Sequence, residues 1–437
     1  MTGRRHRRTA SPSALPMPAG RRRALSAAAA LAACASLAAG CGAVPGATGG
    51  SGGGTVTVMT WAPENTPATN KPGMPAMARA YARRVNAEGG IAGHKLKVLT
   101  CNDSNDSVEA AKCARLAVKE GVVAVVGSYS QYSDSFFPPL ESAGIPYIGG
   151  YGVTTAEFTR ALSYPVNGGQ PALLVGLGRV LAADCGPVTL VRPDSIAGDE
   201  LPGLLDAGLK AGGHGAARDQ MAADDATEYS GQADQALRRA TAGTGRTGCV
   251  VPDLGERTGI FMDSFRRARD RYPAVRTAAV VGSVDQTVID ASGAQAGPYE
   301  GASVAGWYPV ADDPRWNPMK KVINEEAFGD NRVDPEDPGV QTTWLAYSVL
   351  RAVLEKIGGG AVSADTVRHT LDSGASFGTG GLTPPLRWPL SGPFASTGFA
   401  RLANADVTLQ TVRQGRLVPT ARGVVDVTKT LQNAVVD

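Results

Sequence analysis

The chain has 437 residues, 43 of them Lys or Arg and 40 Asp or Glu, for a formal net charge of +3. Seven of the basic residues are arginines crowded into residues 1–23; without them 36 basic residues face 40 acidic ones and the charge becomes −4. A mildly acidic chain lacks the electrostatic footprint of a nucleic-acid binder.

Those arginines head the first segment. Arg21, Arg22 and Arg23 precede an uncharged Ala/Leu-rich run from Ala24 that closes on Leu37, Ala38, Ala39, Gly40 and Cys41. A positive stretch, a short apolar stretch and small residues ahead of a cysteine form the pattern of a bacterial lipoprotein export signal. The run of 17 residues only just approaches the length that spans a bilayer. A cleaved leader over residues 1–40 is therefore expected, with a diacylglycerol on the Cys41 thiol. Leu31, Ala32, Ala33 and Cys34 offer an earlier match, and an uncleaved anchor would tether the chain to the same membrane face. Residues 41–54 are rich in Gly and Ser, whose backbone entropy favours a flexible tether. From Thr55 about 380 residues remain, too many for one ordinary core and suited to two lobes.

From there short β-rich runs alternate with helical patterns. TVTVMTW (55–61) is followed by a helix on whose single face Met74, Met77, Ala78, Tyr81 and Val85 recur. KLKVLTC leads into a helix started by Asp106, with Glu109 three residues on and a stop at Gly121. VVAVVG (122–127), a helix through Leu140 and IPYIGG (145–150) continue the series. The uninterrupted apolar run VVAVVG fits a parallel strand covered on both faces, which loses polar alternation. A second series begins after Asn167: PALLVGLGRVLAAD as helix, PVTLVRP as strand, GDELPGLLDAGLKAGG as helix, CVVPDLG as strand, FMDSFRRARDR as helix and TAAVVGS as strand. From about residue 304 come the helices PMKKVINEEAF and TTWLAYSVLRAVLEKIG, then Gly/Pro-rich loops and two strand-like runs, DVTLQTVRQG and RGVVDVT. The pattern predicts an α/β fold whose architecture is written twice, without a direct sequence repeat.

With Cys34 removed and Cys41 lipidated, Cys101, Cys113, Cys185 and Cys249 remain, an even number that favours disulfides outside the cytoplasm. Cys101 ends one strand and Cys113 lies on the next helix, so a local bridge is expected. Cys185 and Cys249 each precede a strand, and in a doubly wound sheet those two strands are neighbours. Four free structural thiols are the alternative.

The segments VNAEGGIAGHKLKVLTCNDS, EAAKCARLAVKEGVVAVVGSYS and ESAGIPYIGGYGVTTAEFT resemble, in order and spacing, the first lobe of type I solute-binding proteins of the leucine/isoleucine/valine transporter family. RPDSIAGDELPGLLDAGLKAGG and VGSVDQTVIDASGAQAGPYEG resemble its second lobe, and TTWLAYSVLRAVLEKIG the helix after the chain crosses back. The resemblance covers roughly residues 55–425. It implies two doubly wound parallel-sheet lobes joined by a three-strand hinge, with residues 55–165 and 304–401 in lobe 1 and residues 166–303 and 402–437 in lobe 2. It further implies closure on a small amino acid, amide or similar solute and its presentation to ABC permease subunits; with the leader, the expectation is a lipid-anchored monomer outside the bacterial cell, without cofactor or metal. A lipoprotein that keeps the fold to sense a ligand, or as structure alone, is the alternative.

Ligands of open parallel sheets sit beyond the carboxyl ends of the strands, which selects the candidate contacts. Ser128, Tyr129, Ser130 and Gln131 follow VVAVVG, where hydroxyls and backbone amides suit a carboxylate; capping of the next helix by Ser130 or Ser133 competes. Gln131 stands where amino-acid-binding members commonly place a serine. Tyr151, Gly152 and Thr154 follow IPYIGG, with Thr154 and Glu157 spaced as a capping box. In lobe 2 the family's aromatic position in the loop DSIAGDE is Ala197. Asp285 is the first choice for a solute ammonium, with an ordinary surface charge as the alternative, and Glu256 is the weaker candidate, while Trp61, Trp307 and Tyr308 line or gate the cleft or simply pack. Gly176 and Gly178 imitate a dinucleotide fingerprint, but Leu181 replaces its third glycine within a helix. There is no GxSxG nucleophile elbow, His94, His214 and His369 are widely separated, and His94, in the turn GHKL, is expected to face solvent.

Overall fold

Residues 53–66, 69–223, 226–242, 245–389, 394 and 398–434 are described by a computed structural model. The expected leader and Cys41 lie outside them. Strand β1 (Thr55–Trp61) sets the first sheet, because its alternate residues serve two cores: Val56 and Val58 enter one apolar cluster, Met59 and Trp61 another on the opposite face. Beside it lie β2 (Lys95–Cys101), β3 (Val125–Val126), β4 (Tyr147–Ile148) and β5 (Ser163–Tyr164), all parallel, in the order β2-β1-β3-β4-β5. Residues 122–127 are buried throughout, as the unbroken apolar run predicts, although only two of them form regular ladder.

The second sheet repeats that order. β6 (Val188–Pro193), β7 (Arg218–Ala222), β8 (Cys249–Pro252), β9 (Arg276–Val280) and β10 (Ser303–Gly306) run parallel as β7-β6-β8-β9-β10. The tail then adds an antiparallel hairpin, β11 (Asp406–Arg413) and β12 (Arg416–Asp426), to the β10 edge. Helices cover both faces of each sheet, which is the doubly wound α/β architecture expected. None of them, among the described residues, is long and apolar enough to cross a membrane.

Helix Gly73–Ala87 buries Met74, Met77, Ala78, Tyr81 and Val85, the face read from its spacing. Helix Ser107–Lys119 starts as its sequence dictates, since the Asp106 carboxylate accepts from the backbone N–H of Val108 at 2.8 Å and of Glu109 at 3.0 Å. Asp106→Ala should therefore cost about 1 kcal/mol in a urea titration; an unchanged midpoint would show that water replaces the cap without loss.

Both expected disulfides are formed. Cys101–Cys113 staples the end of β2 to the following helix, and Cys185–Cys249 joins the end of helix Gly169–Asp184 to the first residue of β8. The second is possible because β6 and β8 are neighbours, with Val188 opposite Cys249. His94 corrects an expectation. Its ring is 5% exposed and wedged between two chain segments, 3.3 Å from the carbonyl oxygens of both Gly54 and Gly358. The turn is polar, but the residues that bury it are remote in sequence.

Candidate functional site

The loops at the carboxyl ends of the two sheets face one another across a cleft containing about 1380 Å³ of empty space, open to solvent. From lobe 1 come Thr69 and Lys71 after β1, Tyr129 and Gln131 after β3, and Tyr151 to Thr154 after β4. From lobe 2 come Ser195, Gly198 and Leu201 after β6, Asp253, Leu254, Gly255 and Arg257 after β8, and Gly282 and Ser283 after β9. Corresponding strands of two sheets with the same order thus supply corresponding loops, at the place where the strand order reverses.

An aromatic cluster forms the inner wall. Tyr151 meets Tyr129 edge-on at 5.2 Å and Trp307 edge-on at 5.1 Å, and the Lys71 ammonium sits 5.5 Å from the Tyr151 ring centre. The Tyr151 hydroxyl is buried and has no hydrogen-bond partner among the described residues. It reaches the opposite lobe: a Cβ on Gly282, whose φ is +103°, would lie 3.1 Å from it. Burial holds the phenol far above its usual pKa, so it stays protonated.

The shape of the Tyr151–Thr154 turn depends on Glu157. Its fully buried carboxylate accepts from the backbone N–H of Gly152 (3.1 Å), Val153 (3.0 Å) and Thr154 (3.1 Å) and from the Thr154 hydroxyl at 3.2 Å. The capping-box spacing thus produces only its reach-back half, and the Thr154 side chain is occupied by Glu157. Burial raises the Glu157 pKa to about 7 against the opposing pull of its four donors. Gly152, at φ +93°, packs against the hinge, where a Cβ would meet Asn167 Oδ1 at 2.7 Å.

On the other wall Asp253 is 3% exposed; it accepts from the Ser283 hydroxyl at 2.7 Å and from Gln170 Nε2 at 3.1 Å. Burial raises its pKa. Lys71, near the lobe 1 surface of the cleft, has Asp337 at 3.9 Å. Arg257, half-buried, has no ion-pair partner among the described residues.

Of the residues selected from the sequence, Tyr129, Gln131, Tyr151, Gly152 and Thr154 share this cleft, as does Trp307, whose indole N–H donates to Gly169 O at 2.9 Å. Trp61 is elsewhere, fully buried against Phe136 and Tyr147. Ser128 Oγ accepts from the Trp61 N–H and Ser130 Oγ from the Tyr132 N–H, so both organise backbone beneath the cleft surface. Tyr308 is a hinge residue. Its hydroxyl joins Asn167 (3.1 Å) and Thr342 (2.9 Å), and its carbonyl accepts from Thr408 and Gln410, which ties the three lobe crossings together. Asp285 caps helix Gln286–Ala291 through the Val288 N–H at 2.9 Å and lines a separate recess with Trp307, Tyr308 and Glu336. The side chains of Ala197 and Glu256 lie outside the described residues.

Lys71, Gln170, Asp253, Arg257 and Ser283 were not among the sequence candidates. The signal for Asp253 and Arg257 was their position just past the strand CVVP, the same signal that selected Glu256.

The model of the periplasmic binding protein family matches residues 55–415. None of the curated proteins compared with the chain matches it. Solved structures share the fold at low identity. A substrate-binding periplasmic protein from Ralstonia solanacearum is 16% identical, with a TM-score of 0.66 over 84% of this chain and 100% of that one. A solute-binding protein of an ABC transporter from Rhodopseudomonas palustris BisB5, in complex with 3,4-dihydroxybenzoic acid, is 14% identical, with a TM-score of 0.67 over 85% and 97%. A fatty acid ABC transporter substrate-binding protein from Thermomonospora curvata is 14% identical, with a TM-score of 0.64 over 88% and 95%.

Proposed function

This chain belongs to the periplasmic binding protein family, and from that membership we propose that it is a lipid-anchored receptor outside the cell membrane, monomeric, which hands a small polar solute to the permease of an ABC importer. The solute is an amino acid, an amide or a similar metabolite, bound between the lobes by Tyr129, Gln131, Tyr151, Gly152 and Thr154 on one side and by the loops after β6, β8 and β9 on the other. The observation that carries this reading is the convergence of loops from two like-ordered sheets on one solvent-open cleft. The Rhodopseudomonas palustris protein bound to a small hydroxylated acid supports a solute of that size. For the anchor, support comes from the sequence alone: small residues ahead of Cys41, which follow a basic and then an apolar stretch.

Binding to the folded state alone raises stability by RT ln(1 + [L]/Kd), about 2.7 kcal/mol at a hundred times Kd. A thermal-shift screen of amino acids, amides, ureas, short peptides and small organic acids should therefore reveal a stabilising solute, and small-angle scattering should show the lobes closing on it. A broad panel with no stabiliser and no change in radius of gyration would remove the transport reading.

A further inference from the structure

The two lobes also touch outside the solute cleft. After β4, the Thr155 hydroxyl of lobe 1 donates to Glu200 Oε2 of lobe 2 at 2.9 Å. Beyond Trp307, the Thr287 hydroxyl of lobe 2 donates to Asp334 Oδ2 of lobe 1 at 3.1 Å. There too Arg416, the first residue of β12 in lobe 2, reaches Glu336 at 3.2 Å and Asp312 at 3.3 Å in lobe 1. These bridges stand on different sides of the cleft. Asp334 and its neighbours adjoin the loop after β1, through Arg332–Glu64 at 3.6 Å and Lys71–Asp337 at 3.9 Å, and β3 separates β1 from β4. In lobe 2, Glu200 follows β6 and Thr287 follows β9, with β8 between them. The β1 side carries an excess of acid. Asp334, Glu336 and Asp337 lie in one short segment of lobe 1, and Asp285 faces it from lobe 2; burial above all, then Asp337 and Asp334, raise the Asp285 pKa against the pull of the Val288 N–H and Lys71. Like charges across the seam oppose closure, and Arg416 is a cation that lobe 2 sets against them.

We propose that Arg416 is a positioning residue for solute capture: with the Thr155–Glu200 bond on the other side, it draws the lobes together through the protein's own side chains, so that the solute completes a closure already begun. This goes beyond the receptor reading and rests only on the two lobes moving about their hinge. The contacts suit a reversible role. All are partly exposed to solvent, where one such contact changes the closed-to-open ratio by no more than about fivefold. Lobes held so lightly still open for entry, and a solute with differential affinity for the closed arrangement shifts the balance the rest of the way. Arg416 also does what Thr155 cannot. It offsets the carboxylates on both sides of the seam, so its loss removes an attraction and uncovers a repulsion together.

Amide hydrogen exchange of the full chain reads lobe opening without any solute. Arg416→Gln should speed exchange about twofold to fivefold in residues 334–337 and also in residues 198–201 on the far side, because each lobe moves as a unit. Small-angle scattering of the same variant should give a larger radius of gyration, and Arg416→Lys, which keeps the charge, should restore most of both. Glu200→Ala should loosen the two segments from the other side with the β11–β12 hairpin intact. In about 1 M salt, where the screening length falls to about 3 Å, the wild type should approach Arg416→Gln at both segments. Exchange that quickens only beside the substituted residue, or a lack of response to both Arg416→Gln and salt, overturns the inference. Such a result leaves the receptor reading standing, since none of these measurements uses a solute. A silent solute panel with both segments responding removes the receptor and keeps the bridges.

Discussion

Glu157→Ala should destabilise the folded chain by about 4 kcal/mol and weaken solute binding at the same time. Four donors converge on this carboxylate, three of them backbone N–H groups of residues that line or adjoin the cleft. A buried donor stripped of its acceptor costs about 1–3 kcal/mol, and some of the four regain water when the turn relaxes. The same relaxation displaces Tyr151 and Thr154, so affinity falls with stability. The carboxylate also makes stability depend on pH. Its folded pKa is about 7, above the ordinary 4.5, because burial outweighs its donors. The folded state therefore holds the proton more tightly than the unfolded one between those values. Stability from this group is greatest below pH 4.5 and is lost as pH rises through 7, by about 3 kcal/mol in all. Glu157→Gln cannot titrate, so wild-type stability minus variant stability should fall by that amount across the window in denaturant titrations at stepped pH. Parallel pH profiles for the two proteins would refute the assignment.

The sequence carried the fold further than it carried the site, for reasons visible in particular residues. VVAVVG was legible because a strand covered on both faces is apolar at every position, and β1 because TVTVMTW is an unbroken run of β-branched, apolar and aromatic residues. β7 was not, since RDQMA at a sheet edge buries only Gln220 and Ala222 and looks like a polar loop. The first half of β12, also an edge strand, hides behind Pro419 and a run of exposed residues. In the cleft, strand ends located the loops after β3 and β4 but left open which side chain of each loop turns inward. Trp61 ends β1 and nevertheless follows the strand's alternation into the core, whereas Lys71 lies ten residues later in a loop that no strand pattern reaches. His94 was misjudged because its cover, Gly358, is 264 residues away. Glu157 was read as half of a local capping pair; its burial, and with it the shift in its acidity, arises from tertiary packing.

Removing the Cys185–Cys249 bridge should separate stability from binding, which Glu157→Ala cannot do. The two cysteines are 64 residues apart, against 12 for Cys101–Cys113. In the chain-entropy account the longer loop is worth about 4 kcal/mol and the shorter about 3 kcal/mol. Replacing both Cys185 and Cys249 with Ala should therefore lower the denaturation midpoint more than the same change at Cys101 and Cys113. Cys249 begins β8, while Asp253 and Arg257 follow its far end, so the bridge ties this interior strand at the end of the sheet away from the cleft. Solute affinity of the folded variant should accordingly stay within about twofold of wild type, a difference of about 0.4 kcal/mol. A large loss of affinity with little loss of stability would show that the two ends of β8 do not act as a rigid support and a separate mouth. The cleft would then have to be understood as held open or shut from its base.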